Sequence, residues 1–371
     1  MLKAIKISVF VIALMCICIL SGNVSIAGQA GVSKALVSKE LLDHARLEPV
    51  WSNKLPMNMK KNEVMSRLFI TGDNFYALSS YNYMVGMDMS TGDIKFSKAV
   101  AMVGLPVEEM EYYEGKLISI TGSNLVEMEP DTGVVLSSRV WKLGLTCPVV
   151  RNESFYYIGA ADKRVHVLRS EDRVQTFELA AESDAMITSI VADEGFIIFS
   201  TDAGDVIGAR SNTPVKLWSF NAADSVVGPM VRTGNSVIFA SKDTNVYCLD
   251  VYSRGELIWK YQTAAILDKA PVVTESIVYQ RVSGKGLVAI EKGSGKLMWE
   301  LDGGLDLLAE SKNKAYIITE TGKLVVVDNM KKKKLYSANL AGVTQYAVNT
   351  VDSKIYIGDS AGHVMCIKPI E

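Results

Sequence analysis

The chain has 371 residues, 49% of them hydrophobic and 22% charged, with 28 glycines, 9 prolines and a formal net charge of −2. That balance supplies enough apolar side chain for a packed core and excludes disordered, collagen-like and disulfide-knot classes. The mild acidity gives no electrostatic argument for nucleic-acid binding.

At the N-terminus, Lys3 and Lys6 precede an apolar run from Ile7 to Leu20, and Ser25-Ile26-Ala27 places small residues where a signal peptidase reads them. Residues 1–27 therefore read as a secretory signal peptide. The run is short of the ~20 residues a bilayer-spanning helix needs, so no membrane span is expected after cleavage. Met15 and Ile17 are too large to precede a lipidated cysteine at Cys16 or Cys18. Cleavage removes two lysines and no acid, which takes the net charge from −2 to −4. The expected location is periplasmic or secreted.

Residues 28–46 form an N-terminal extension that does not repeat. Within it Val37, Leu41 and Ala45 recur at helical spacing, which predicts a short helix capped by Ser33. Next comes Pro49-Val50-Trp51-Ser52-Asn53-Lys54-Leu55, a strand ending in the manner of the later repeats but with no strands before it.

From there the chain repeats. β-branched and aromatic runs begin near Phe75, Leu117, Phe155, Phe196, Val237, Ile277, Ala315 and Ile355, a mean spacing of 40 residues. The clearest copies are FIIFSTDAGDVIGARSNTPVKLW from Phe196, VIFASKDTNVYCLDVYSRGELIW from Val237 and IVYQRVSGKGLVAIEKGSGKLMW from Ile277. Each has a strand, a polar turn, a second strand ending near an acid, a Gly-bearing turn and a strand closed by an aromatic. A further short strand, often led by a small residue and proline as at Cys147-Pro148, Gly228-Pro229 and Ala270-Pro271, brings each copy to four.

Four antiparallel strands at this period make a propeller blade. Trp218, Trp259 and Trp299 end consecutive copies, with Phe96 and Phe177 at the same place in two others, where a large ring fills the wedge between blades. The last copy, from Ile355, stops before its aromatic strand, and the Trp51 segment supplies one. The reading is an all-β, eight-bladed propeller over residues 47–371, with its ring closed by the N-terminal strand pairing with the C-terminal blade.

Cys147, Cys248 and Cys366 remain in the mature chain. An odd count at long spacing is neither a metal pattern nor a disulfide framework, so they read as small buried hydrophobes. His44, His166 and His363 are far apart and read as surface or packing residues. Lys331 to Lys334 fall where other copies place a turn; the reading is a solvated turn, with anionic-lipid contact as the alternative.

The pattern Asp250-(x)4-Gly255-(x)3-Trp259 and Glu291-(x)3-Gly295-(x)3-Trp299 resembles the pyrroloquinoline-quinone-like, or quinoprotein-like, propeller repeat. The Gly-His and Trp-Asp pairs of WD40 repeats are absent. The resemblance covers nearly the whole mature chain and implies either a quinone- and calcium-dependent dehydrogenase or a non-catalytic protein of the BamB-like branch. The dehydrogenases carry adjacent cysteines near the cofactor and hold calcium with Glu, Asn and Asp. No two cysteines adjoin in the mature chain, and only Trp141 is left as a ring platform once the blade anchors are counted. No cofactor, catalytic residue or metal ligand is therefore expected.

One constellation reads as a binding site. Asp184, Asp224, Asp268 and Asp306 lie in consecutive copies on the connections entering the innermost strands, which surround one mouth of a propeller channel. Together they predict an acidic rim able to attract a basic partner or hold a cation. The function expected is a monomeric, non-catalytic binding or scaffold propeller of the cell envelope with a protein partner. The alternatives are a quinone/calcium oxidoreductase and a carbohydrate- or peptide-binding propeller using Tyr81 and Tyr83.

Overall fold

A computed structural model describes residues 36–56 and 62–370. The signal peptide read over residues 1–27 and the helix cap read at Ser33 lie outside the described residues. Eight four-stranded antiparallel sheets make up the architecture. In chain order, blade 1 spans Met65–Ala99, blade 2 Glu111–Val140, blade 3 Val150–Leu179 and blade 4 Ile187–Asn221; blade 5 spans Val226–Gln262, blade 6 Val272–Asp302 and blade 7 Gly304–Asn339. These seven are simple meanders. Blade 8 takes Gln345–Ala347, Ile355–Gly358 and His363–Pro369 from the C-terminal end and Leu47–Lys54 from the N-terminal end.

The closing strand runs antiparallel to His363–Pro369 from Leu47↔Pro369 to Lys54↔His363. Pro49 is tolerated because this strand is outermost, with no ladder partner on its far side. The second and third strands of each blade are buried almost throughout, as in Phe196–Thr201 and Asn245–Asp250, so they read as continuous apolar runs. The fourth strands are largely exposed, as in Val135–Val140.

The core is divided into eight clusters, one for each pair of neighbouring blades. Phe239 of blade 5 packs with Phe196 and Ile198 of blade 4, and Tyr279 of blade 6 with Leu307 and Ile317 of blade 7. The cluster that joins blade 8 to blade 1 unites Trp51, Tyr356 and Cys366 with Phe75 and Val85. That contact closes the ring.

An aromatic on the fourth strand of one blade seals most of these joints against a turn of the next. A Cβ on Gly255 of blade 5 would lie 2.4 Å from the Trp218 ring of blade 4, and Gly255 has φ +72°, so only glycine meets both demands. Gly92 and Trp51, Gly133 and Phe96, and Gly295 and Trp259 make the same contact. The indole N–H of Trp51 donates to Met89 O (3.0 Å), that of Trp259 to Lys292 O (2.8 Å) and that of Trp299 to Asn329 Oδ1 (2.9 Å).

The joint between blades 2 and 3 departs from this scheme. Ser137 stands at the aromatic position opposite Glu127, and Arg173, with φ +57°, stands at the glycine position. Glu127 is 4% exposed and accepts from Arg151 Nη1 (2.6 Å), Arg173 Nη2 (2.8 Å), the Ser137 hydroxyl (2.8 Å) and the Tyr156 hydroxyl. Burial alone raises its pKa, but the Tyr156 and Ser137 hydroxyls and the Lys116 and Arg173 charges outweigh burial and leave it below the ordinary carboxylate value. An ionic plug thus occupies the space a tryptophan fills elsewhere.

The N-terminal helix covers Lys39–His44 and is capped by Ser38, whose hydroxyl accepts from Leu41 N, so the cap is not Ser33. Its Leu42, together with Val37 and Ala45, packs into the cluster between blades 7 and 8. Cys147, Cys248 and Cys366 are buried free thiols, and burial pushes the Cys147 and Cys366 thiols up to about 12.

Candidate functional site

Because strands alternate in direction, each connection into a blade shares one face of the ring with the turn between that blade's second and third strands. The other two turns of the blade open on the opposite face. Asp184, Asp224 and Asp268 lie on connections to blades 4, 5 and 6, and all three are exposed. Asp184 (φ +49°) pairs with Lys163 Nζ at 3.1 Å, and Asp224 Oδ1 accepts from Ser225 N at 2.6 Å.

Asp306 does not belong with them. It sits inside the first strand of blade 7, Gly304–Ser311, and is 2% exposed. Its carboxylate binds Lys269 Nζ, and burial raises its pKa against the opposing pull of Lys269 and the Tyr346 hydroxyl. The spacing that suggested a loop acid missed that this connection is nearly absent: blade 6 ends at Asp302 and the next strand starts at Gly304.

The structure adds acids to the arc. The turn Asp202-Ala203-Gly204-Asp205 of blade 4 lies against the Asp224 connection; a Cβ on Gly204 would be 2.7 Å from Asp224 O, and Gly204 has φ +88°. Exposed Asp162 and Asp202 and half-buried Asp243 occupy second-to-third-strand turns of blades 3, 4 and 5. Asp243 Oδ2 accepts from Tyr247 OH (2.5 Å), and Asp202 Oδ1 from Met186 N (2.9 Å). These acids interleave with Asp184 and Asp224, so negative charge concentrates over blades 3 to 5. In sequence they read only as polar turns, because nothing local shows that turn and connection share a face.

The inner strands of blades 2 to 5 also enclose a 300 Å³ pocket lined by Glu109, Glu111, Pro148, Ser189, Met230 and Arg232. Burial, with the charge of Glu109, pushes Glu111 up to about 7. Arg232 is already held by Asp193 Oδ2 at 2.7 Å.

The remaining sequence candidates have structural partners. Trp141 stands edge-on to His166 at 5.4 Å between blades 2 and 3. His166 is fixed by Asp162 (2.9 Å), His363 by Asp359 (2.7 Å), and Tyr83 OH donates to Ser97 O. Among the described residues no three His, Cys, Asp or Glu side chains converge as metal ligands would.

The structure is a closed ring of eight four-stranded blades, most of them docked by aromatic-on-glycine contacts, with acidic turns and connections on one face. Residues 203–345 match the family model described as outer membrane protein assembly factor BamB. The chain is 18% identical over 238 residues to outer membrane protein assembly factor BamB of Yersinia pestis, covering 58% of this chain and 59% of that protein. It is 23% identical over 229 residues to that of Moranella endobia, covering 56% and 58%. The match thus spans less than two thirds of either relative. Among solved structures, BamB from Moraxella catarrhalis superposes with TM-score 0.66 at 15% identity, over 87% of this chain and 97% of that one. The computationally designed Ika8 protein gives 0.65 at 15% identity, over 84% and 98%. The two structural likenesses show the fold, and the family match over residues 203–345 together with the two relatives makes the chain similar to BamB-type, pyrroloquinoline-quinone-like repeat propellers.

Proposed function

We propose that the protein is a non-catalytic propeller of the cell envelope, delivered to the periplasm by residues 1–27, whose 47–371 ring binds a protein partner at its acidic mouth. The observation that carries this reading is the concentration of carboxylates over blades 3 to 5, where Gly204 lets one acidic turn approach the Asp224 connection. Such a mouth attracts a basic surface and speeds encounter at low ionic strength. The relatives' description as outer membrane protein assembly factors supports a role in envelope assembly. The quinone reading is not favoured: Trp141 is committed to a blade joint, and no adjacent cysteines or convergent calcium ligands occur among the described residues.

The test changes Asp184, Asp202, Asp224 and Asp268 to Asn and leaves the buried Asp306 intact. Affinity capture from the native envelope should lose a basic partner that the wild-type chain retains, with unchanged thermal unfolding. Undiminished capture of the same partner would sink the acidic mouth as the binding site. Stoichiometric binding of pyrroloquinoline quinone with calcium would instead restore the oxidoreductase reading.

A further inference from the structure

The face opposite the acidic mouth carries a second, oppositely charged surface on blades 7 and 8. In blade 7 the registers Lys314↔Asp328 and Asp328↔Lys333 set these residues at one end of the sheet, and Asn329 N donates to Asn313 O (2.7 Å) across the two turns there. Lys331, Lys332, Lys333 and Lys334 are all exposed. Lys331 Nζ comes within 3.8 Å of Asp328 Oδ2, and among the described residues no ion pair involves Lys332, Lys333 or Lys334. Blade 8 borders the lysine turn with a 520 Å³ groove in which Lys354 and Lys368 are already paired, with Asp352 at 2.9 Å and Glu48 at 3.0 Å, so the unpaired positive charge is that of the lysine turn itself.

Apolar side chains stand among these cations. Met330, at the tip of the lysine turn, is 70% exposed; Val351 of the neighbouring turn is 65% exposed and Ile370 is 42% exposed. The turn is a fixed one: Asp328 Oδ1 accepts from both Met330 N (3.0 Å) and Lys331 N (2.8 Å), and Lys332 holds φ +55°. A methionine held outward and flanked by four lysines is the arrangement that enters a bilayer interface while ammonium groups meet headgroup phosphates. The charge is complementary to an anionic leaflet, and the acidic mouth on the far side would be repelled by the same surface.

We infer that this face of blades 7 and 8 docks on an anionic lipid bilayer, with Met330 entering the interface and Lys331 to Lys334 engaging the headgroups. Docked this way, the ring presents its acidic mouth to the aqueous side. The inference is independent of the identity of any protein partner.

The experiment measures co-sedimentation of the full chain with vesicles of phosphatidylcholine alone or with about one third phosphatidylglycerol. Its readout is the ratio of anionic to neutral partitioning, in which any contribution from residues 1–27 is common to all variants. Each lysine near such a surface is worth roughly fivefold, so changing Lys331, Lys332, Lys333 and Lys334 together to Gln should lower the ratio by at least about a hundredfold. The same four positions changed to Arg should keep it. Met330→Ser should weaken anionic binding several-fold without altering its salt dependence. An unchanged ratio in the Gln variant, a loss in the Arg variant equal to that in the Gln variant, or displacement from vesicles by duplex DNA at equal phosphate concentration would each overturn the inference.

Discussion

Removing the Trp51 side chain tests whether the N-terminal strand truly closes the ring. Trp51 is 9% exposed, lies 5.8 Å from the Phe75 ring and 6.0 Å from the Tyr356 ring, and covers Gly92 of blade 1. Its indole donates to Met89 O, which also accepts from Tyr356 OH at 3.2 Å, so truncation leaves that carbonyl satisfied. The loss is therefore mainly packing, and burying a tryptophan and then deleting it to alanine costs roughly 3–5 kcal/mol. With an m-value near ~3 kcal/mol per molar urea, the Trp51→Ala midpoint should fall by about 1–1.7 M. Trp51→Phe should recover most of that, short by the ~1 kcal/mol of one hydrogen bond. Amide exchange should localise the damage to residues 47–54 and 355–369, because those strands pair only with each other and with the rest of blade 8. A midpoint shift below about 0.3 M, or exchange that rises evenly around the ring, would refute the closing role.

Other joints and the channel give further tests. Gly255→Ala should destabilise by about 2–4 kcal/mol, since the new Cβ meets the Trp218 ring and the backbone is left-handed there; a double-mutant cycle with Trp218→Ala should show strong coupling in urea melts. Arg173→Gly restores the repeat pattern but strips Glu127 of one buried partner, so it should cost roughly 1–3 kcal/mol rather than stabilise, read by thermal unfolding. Glu111 has a folded pKa raised to about 7, so its contribution to stability is complete below the unfolded carboxylate range and is lost as pH rises through 7. Glu111→Gln should therefore match the wild type near pH 4 and exceed its melting temperature near pH 8; equal melting temperatures at both would contradict the burial of that carboxyl.

The split between sequence and tertiary structure follows from how far each interaction reaches. Blade number, strand order and the aromatic joints were legible because a blade is a local meander: its doubly buried strands give unbroken apolar runs, and the Gly-turn lies four residues before Trp259 and Trp299. Closure was legible too, because the Trp51 strand and the truncated last copy each lacked what the other supplied. The helix is capped by Ser38, five positions beyond the Ser33 read from the sequence, and its Leu42 packs into the joint between blades 7 and 8.

Charge placement was the part that needed the folded ring. Asp306 and Asp224 both read in sequence as acids on a connection, yet one is sealed under Lys269 and the other is open to water. Ser137 and Arg173 stand where other joints place an aromatic and a glycine, and only the folded ring shows that Glu127 and Arg173 fill that space with an ion pair. The Lys331–Lys334 run was visible as a turn, but its alignment with Lys354, Lys368 and Met330 on the face opposite the acids was not. A repeat of 40 residues determines each blade by contacts within itself and its neighbour. Which charges share a face or meet across a joint depends on residues one or more repeats apart, and only the closed ring brings those together.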